Sequence, residues 1–489
     1  MLDLPKSGQH EWLHWAKHRR QYGPISSLSI MGHKLIIIND YTSAMDLLDK
    51  RSLNFSDRPD LTFAGVMIGL ENTLPFIHYG EDHRMMRKCL HQVIGTKQAV
   101  QRYYDREDVE VRRYLYKTLQ DPSRFRDHLR SLSGALILSI AYGYQVEHAT
   151  PDPLVRFVEY TMHKLHESAI PGKWLVDIIP ILRFLPNWIP GTGFKDVARD
   201  CAQLLDEITQ VPYAFTKRQM ENGLAQPSLT QELLDEYRGA PNSHEEFIIK
   251  WSANAIYGGG ADTTVSASIS FYYWMLQYPE IHRRAQAEID AVVGTDRLPT
   301  FADREYLPYV NALIKEVLRC SPIIPINLPH KGIEDTIYNG YLIPKGALIL
   351  VNIYSLLHDP DTYKNPDEFC PERYLGENPE LDPSNMVFGF GRRVCPGREL
   401  ADHTLFLTIA SSLSVFDVLP PTGPDGKPIK QNFRYQTGLV VGPEHFEANI
   451  KLRPGKTEEF LSTALLEQPY NKGDSEALKD VPWARRPKN

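Results

Sequence analysis

The stretch Phe388-Gly389-Phe390-Gly391-Arg392-Arg393-Val394-Cys395-Pro396-Gly397-Arg398-Glu399-Leu400-Ala401 constrains this chain more than any other. One cysteine sits among glycines, with Arg393 two residues before it and an apolar helical pattern just after. Glycines let the backbone take positive φ and approach a flat ligand closely. A helix starting at the cysteine aims amide N–H groups and a positive dipole end at the sulfur, which favours thiolate. A thiolate held this way is an axial ligand for haem iron that promotes O–O cleavage, and Arg393 is placed to pair with a haem propionate. The commoner fate of a lone cysteine is burial as a small structural group. Against that, Phe388, Gly391, Arg393, Cys395 and Gly397 fit F-x-x-G-x-R-x-C-x-G, a coincidence with odds of roughly one in ten thousand at average residue usage.

Upstream, a helical pattern runs from Ser243-His-Glu-Glu246, read as a capping box, to about Tyr278. Midway lies Gly258-Gly259-Gly260-Ala261-Asp262-Thr263-Thr264. Three glycines inside a helix cost roughly 0.5–1 kcal/mol each relative to alanine. Close approach to a bulky planar ligand would favour them, and the adjacent acid and alcohol could relay protons. The plainer reading is a kinked core helix with a locally bonded threonine. A further helix from Pro308 carries Val310, Leu313, Ile314, Val317 and Leu318 on one buried stripe. Glu316 and Arg319 lie off that stripe, three apart, which alone is a trivial surface pair. Around Tyr79–Lys88 a helix starts with acids in its first turn. It places His83 and Arg87 on one face, in charge terms an ordinary solvated face.

These motifs, in this order, resemble the cytochrome P-450 family over nearly the whole chain, Leu4 to about Pro454. The resemblance implies a mostly α fold with a smaller β-rich lobe, in one catalytic domain (1–454) followed by a polar, poorly ordered tail (455–489). It implies haem b bound axially by Cys395, in a loop that includes Phe388 and Gly391. Gly259 and Gly260 would face the haem, while Asp262 and Thr263 match the oxygen-activation motif. His83 stands where the family usually has tryptophan; with Arg87, His330 and Arg393 it would hold the propionates. Glu316 and Arg319 match E-x-x-R, with Arg373 of Pro371-Glu372-Arg373 as third member, a structural role.

The texture is similar to fungal secondary-metabolism members of the O-methylsterigmatocystin oxidoreductase type, in Asp57-Arg58-Pro59, Pro329-His330, Asn339-Gly340-Tyr341 and His358-Asp359-Pro360. The implied activity is monooxygenation of a lipophilic small molecule, such as a terpenoid or polyketide, using O2 and electrons from an NADPH-cytochrome P-450 reductase. A haem-thiolate isomerase, dehydratase or peroxygenase is the alternative, as is a haem-binding protein without turnover.

Composition narrows the partners. A net charge of −7 over 489 residues gives no reason to expect nucleic acid. Five scattered cysteines without metal-type spacing argue for a reducing compartment. No apolar run is long enough to span a membrane. The stretch Trp174–Trp188 is apolar, aromatic and broken by prolines, which suits either a core-lining connection or a surface that dips into a membrane. The expectation is a monomer with peripheral membrane contact, at the cytoplasmic face of the endoplasmic reticulum if the native chain carries an anchor. Substrate contacts are expected in Leu61–Phe76, Ile170–Phe194, Ala255–Gly259, Ile323–Leu328 and Thr437–Leu439. Residues 55–76 and 223–242 read as loops.

Overall fold

The structure is a computed structural model that describes residues 4–481 apart from 6–7, 31, 149, 171, 424–426, 428, 430, 432–433 and 467–471. Its main helices are α1 (Glu11–Tyr22), α2 (Glu81–Ile94), α3 (Tyr104–Gln120), α4 (Phe125–Tyr142), α5 (Pro153–Ser168) and α6 (Phe194–Glu221). They continue with α7 (Leu229–Glu236), α8 (Ser243–Gln277), α9 (Pro279–Val292), α10 (Pro308–Cys320), α11 (Arg398–Val415) and α12 (Glu458–Leu466). The β lobe is small. A hairpin of β1 (Ile25–Ile30) and β2 (His33–Ile38) pairs antiparallel. Next in the chain come β3 (His330–Lys331), β4 (Thr336–Tyr338), β5 (Tyr341–Ile343) and β6 (Leu348–Val351). β6 lies parallel to β2, and β3 closes the sheet on the other side of β6, giving the order β1-β2-β6-β3. The β4–β5 ladder turns at Asn339 and Gly340, both at positive φ, as an Asn-Gly type I′ turn requires.

Helix α8 organises the rest. Its 35 residues make a rod of about 50 Å at ~1.5 Å per residue. It packs against α2, α4, α6 and α11. The capping box is real but sits one residue earlier than the sequence suggested. Asn242 is the cap, its side chain accepting from the backbone of Glu245, while the Glu245 carboxylate accepts from Asn242 N at 2.7 Å. Ser243 is therefore the first helical residue: asparagine is as good a cap as serine, and it comes first.

Three other sequence expectations change. Residues 223–242 are not a plain loop. Ser228 caps α7, whose Leu229, Leu233 and Leu234 are buried; their spacing of four and one gives a buried stripe too short to stand out. Within 55–76, Thr62–Met67 form a wide π-type turn and Leu70–Asn72 a 3-10 turn. The described parts of the tail after 454, residues 455–466 and 472–481, are docked. α12 packs on α3, Leu461, Leu478 and Val481 are buried, and Asp474 exchanges hydrogen bonds with the backbone of Gln145 at 2.7 and 2.9 Å. Three apolar anchors and an acid bonded to backbone are enough to seat a segment whose average composition is polar.

The Trp174–Trp188 stretch is mixed, buried at Val176 and exposed over most of its length. Ile181, Phe184 and Trp188 are 69%, 71% and 82% exposed, so a core-lining role is excluded for them. Trp174 turns inward and stacks on Phe63, ring centroids 3.9 Å apart. Asp177 accepts a 2.7 Å bond from Phe63 N. Among the described residues no helix is long and apolar enough to cross a membrane.

Candidate active site

The middle of α8 is where its packing opens. Residues Ser252–Asn254 and Ala267–Tyr273 on either side are buried, whereas Gly258–Thr264 are half-buried, with Gly259 exposed. A side chain at Gly259 would meet open space, so this glycine leaves room beside the helix. Gly260 has a different reason. A Cβ there would come 2.4 Å from Ile137 Cδ1, and the Gly260 carbonyl accepts a 2.8 Å bond from Ser133 Oγ. Gly260 thus serves the close crossing of α8 with α4 rather than facing a ligand as the sequence reading had it. Thr263 Oγ1 donates to Gly259 O at 2.8 Å, the local bond foreseen for a helical threonine. Asp262 faces α5, with its Oδ2 3.7 Å from Nδ1 of His166.

Cys395 lies in the loop before α11. That helix begins at Arg398, three residues later than a helix starting at the sulfur itself would. Cys395 N donates to Phe388 O at 2.7 Å, which closes the loop on itself. Gly391, at φ 51°, is mandatory: a Cβ there would sit 2.2 Å from Leu48 O. The loop is thereby pressed against the Met45–Lys50 turn. Cys395 is exposed, between buried Phe390 and buried Leu400 along the chain. Enclosure pushes its pKa up, while the Gly397 N–H, Arg87 and Arg398 pull it down. A coordinated metal ion deprotonates such a thiol outright.

Beside the cysteine the fold gathers cations. Arg393 donates to three carbonyls, Ser56 O at 2.7 Å, Ile77 O at 2.7 Å and Leu74 O at 3.2 Å. Arg87 reaches Val394 O at 2.7 Å. Buried Arg58 donates to Pro75 O, Leu328 O and Pro329 O at 2.7–2.8 Å. Buried His330 bonds Phe55 O. Buried His83 has no partner for Nδ1. Its pKa falls to about 3, first through burial and then through Arg393, Arg87, Arg58 and Arg84. Burial also lowers Arg393 to about 10. Among the described residues no carboxylate lies within ion-pair distance of Arg58, Arg87 or Arg393. Buried charges are normally paired, so this cluster is built for anions it does not contain. The propionates of a haem meet that need, beside a thiol and an open-sided helix that suit the iron and the ring: the donor set fits. Sequence reasoning named four of the five cluster residues and missed Arg58, visible only as part of Asp57-Arg58-Pro59.

The third expected group is a buried hub. Glu316 and Arg319 are fully buried, not on the surface, and paired twice, at 2.8 and 2.9 Å. Arg373 adds a 3.1 Å bond to Glu316 Oε1, and Cys370 N donates to the same oxygen at 2.7 Å. Arg319 also holds the carbonyls of Leu357, Pro366 and Glu368 at 2.8–2.9 Å. Burial alone would lower the pKa of this guanidinium, but the Glu316 bonds outweigh it and raise the value. The hub ties α10 to the segment leading into the cysteine loop.

Comparison with known proteins agrees with this geometry. The family model described as cytochrome P450 matches residues 1–450. The chain is 46% identical over 462 residues to cytochrome P450 monooxygenase claR of Ampulloclitocybe clavipes, covering 94% of this chain and 85% of that protein. It is 40% identical to cytochrome P450 monooxygenase ppsD of Aspergillus oryzae, covering 98% and 92%. It is 37% identical to O-methylsterigmatocystin oxidoreductase of Aspergillus flavus, covering 97% and 89%. In fold it is similar to a zebra fish cytochrome P450 solved with abiraterone, with a TM-score of 0.71 at 24% identity over 90% of this chain and 99% of that one. A cysteine loop, an opened long helix and an anion-seeking cluster thus occur in a chain that belongs to the cytochrome P450 family, whose cofactor is haem ligated by a cysteine thiolate, and the protein is a haem-thiolate monooxygenase.

Proposed function

We propose that Cys395 is the thiolate ligand, that Arg87, Arg393 and His83 hold the propionates with His330 and Arg58 behind them, and that Asp262 and Thr263 move protons toward the opened face of α8. The cluster of Arg58, Arg87 and Arg393 beside Cys395, with no carboxylate among the described residues in ion-pair distance and Asp57 the acid that acts on it from further off, is the observation that carries this reading. Bound haem supplies the activation of O2, so that one oxygen atom enters the substrate and the other leaves as water. The chain's own residues do the rest. Phe388 and Gly391 fix the cysteine loop through the Phe388 carbonyl and the contact with Leu48. Gly259 leaves the distal side open. Thr263, by donating its proton to Gly259 O, presents lone pairs into the opening and can accept a proton there. Glu316, Arg319 and Arg373 hold the proximal segment in place without touching the cofactor.

The substrate in this reading is a lipophilic secondary metabolite, of terpenoid or polyketide type, entering past Phe63 and Trp174 from the apolar surface of Ile181, Phe184 and Trp188. That surface supports peripheral contact with a membrane, at the cytoplasmic face of the endoplasmic reticulum. An NADPH-dependent reductase supplies electrons to the monomeric enzyme at the face carrying Arg84 and Arg392, which flank Tyr79. The test is the spectrum of the reduced enzyme with carbon monoxide. Wild type gives the red-shifted Soret band of a thiolate-ligated haem, and Cys395→Ser loses it. A Cys395→Ser band at the wild-type position would refute the assignment.

A further inference from the structure

We infer that His166 is the positioning partner of Asp262 and the group that resupplies it with protons; the inference rests on the relay role proposed for Asp262. His166 lies in the last turn of α5, which packs on α8. Its Nδ1 stands 3.7 Å from Asp262 Oδ2, with side-chain exposures of 26% and 30%. His163, one turn earlier on the same helix, is exposed. Exposed His163, then half-buried His166 and Asp262, follow one another toward Thr263 on the opened stretch of α8. At 3.7 Å a bridging water or a small side-chain rotation completes the contact.

The surroundings leave this ring to Asp262. From α4, Arg130 reaches α5 at Glu159, 3.2 Å away and two turns before His166. From α6, Cys201 meets Ser168 Oγ at 3.3 Å. The Thr62–Met67 turn, also packed on α5, carries no charge. The charged groups that act on the ring are Asp262 and His163, and burial favours its neutral form. A neutral imidazole with its proton on Nδ1 accepts a second proton at Nε2 from water or buffer. The imidazolium releases the Nδ1 proton to the Asp262 carboxylate, and the ring returns to neutrality as the other tautomer. No electron moves and no covalent bond other than N–H and O–H changes.

The test uses haem-loaded enzyme with O2 as the only probe. Enzyme reduced by dithionite is mixed with oxygenated buffer, and its return to the ferric spectrum is followed between about pH 5 and 8, in H2O and in D2O. His166→Gln is expected to slow the return about tenfold, to flatten the pH profile and to change the solvent isotope effect, as Asp262→Asn does. The double variant should be no slower than Asp262→Asn alone, because both lie on one route. An unchanged carbon monoxide spectrum reports an intact fold, and His166→Asn takes over should His166→Gln not retain haem. A wild-type profile in the histidine variant beside an altered one in Asp262→Asn would overturn the inference while leaving Asp262 in its role. Wild-type behaviour in both would remove the relay reading itself.

Discussion

Replacing Glu316 by glutamine tests the buried hub, because it keeps the side-chain volume and deletes one charge. In the native fold one carboxylate satisfies two guanidinium groups and a backbone N–H, with Glu316 and Arg319 both fully shielded from water. The amide oxygen can still accept from Cys370 N, but its NH2 group points a donor at an arginine donor. Removing one partner of a buried pair costs about 3–5 kcal/mol, because the remaining charge is left uncompensated. Arg373 keeps Glu380 at 2.6 Å, so Arg319 bears most of that cost. Against a total stability of roughly 5–15 kcal/mol the loss is about a fifth or more. The assay is urea unfolding followed by tryptophan fluorescence and, in parallel, by haem absorbance. Asp196→Asn, which breaks the exposed Arg199 pair at 2.5 Å, is the control and should change stability by less than about 1 kcal/mol. If Glu316→Gln unfolds at the same urea concentration as the control, the hub is not the stabilising element argued above.

Other outcomes are equally specific. Thr263→Ala should raise NADPH consumption relative to product, measured as peroxide released per NADPH, while the carbon monoxide spectrum stays put; unchanged coupling would show that the hydroxyl does not assist proton delivery. Half-buried His358 has its pKa depressed to about 3 by the loss of water around the ring and by Arg319. Below the ordinary histidine value of 6.5 the unfolded chain gains a proton that the folded chain refuses. Stability is therefore lost as pH falls from that value toward 3, at about 1.4 kcal/mol per pH unit for each such histidine, and His358→Gln should remove one unit of that slope in unfolding measured from pH 7 down. Trp188→Ser combined with Phe184→Ser should weaken partitioning onto phospholipid vesicles by roughly tenfold or more, from the apolar area withdrawn, without altering the spectrum; equal partitioning would place the membrane contact elsewhere.

What could be read from the sequence was what is contiguous. Cys395, Arg393 and Gly391 carry their meaning within ten residues, and the Glu316–Arg319 spacing survives any tertiary detail. The stripe Val310–Leu318 was legible because amphipathic periodicity depends only on spacing. What escaped depends on side chains meeting across long separations. Arg58 belongs to the cation cluster because its neighbours there come from positions 75, 328 and 329. His166 matters only because α5 crosses α8 at Asp262. Gly260 looked like its neighbour Gly259, but one faces Ile137 and the other open space, a distinction set by which way the helix is turned. The docked tail was missed because average polarity hides Leu461, Leu478 and Val481, which anchor it.

The parallel pairing of β2 with β6 joins Leu35 to Leu348, and the same closure brings the carbonyls of Phe55, Ser56 and Leu74 to His330 and Arg393. The proposed cofactor site is thus assembled from both ends of the chain. Bringing such distant segments together costs on the order of 5 kcal/mol of chain entropy before any contact repays it, and topologies of this kind fold slowly. In order of synthesis Arg58, His83 and Arg87 come first, and His330, Arg393 and Cys395 follow more than 240 residues later. Growth temperature during expression, which sets how quickly that closure is reached, should therefore change the yield of active enzyme.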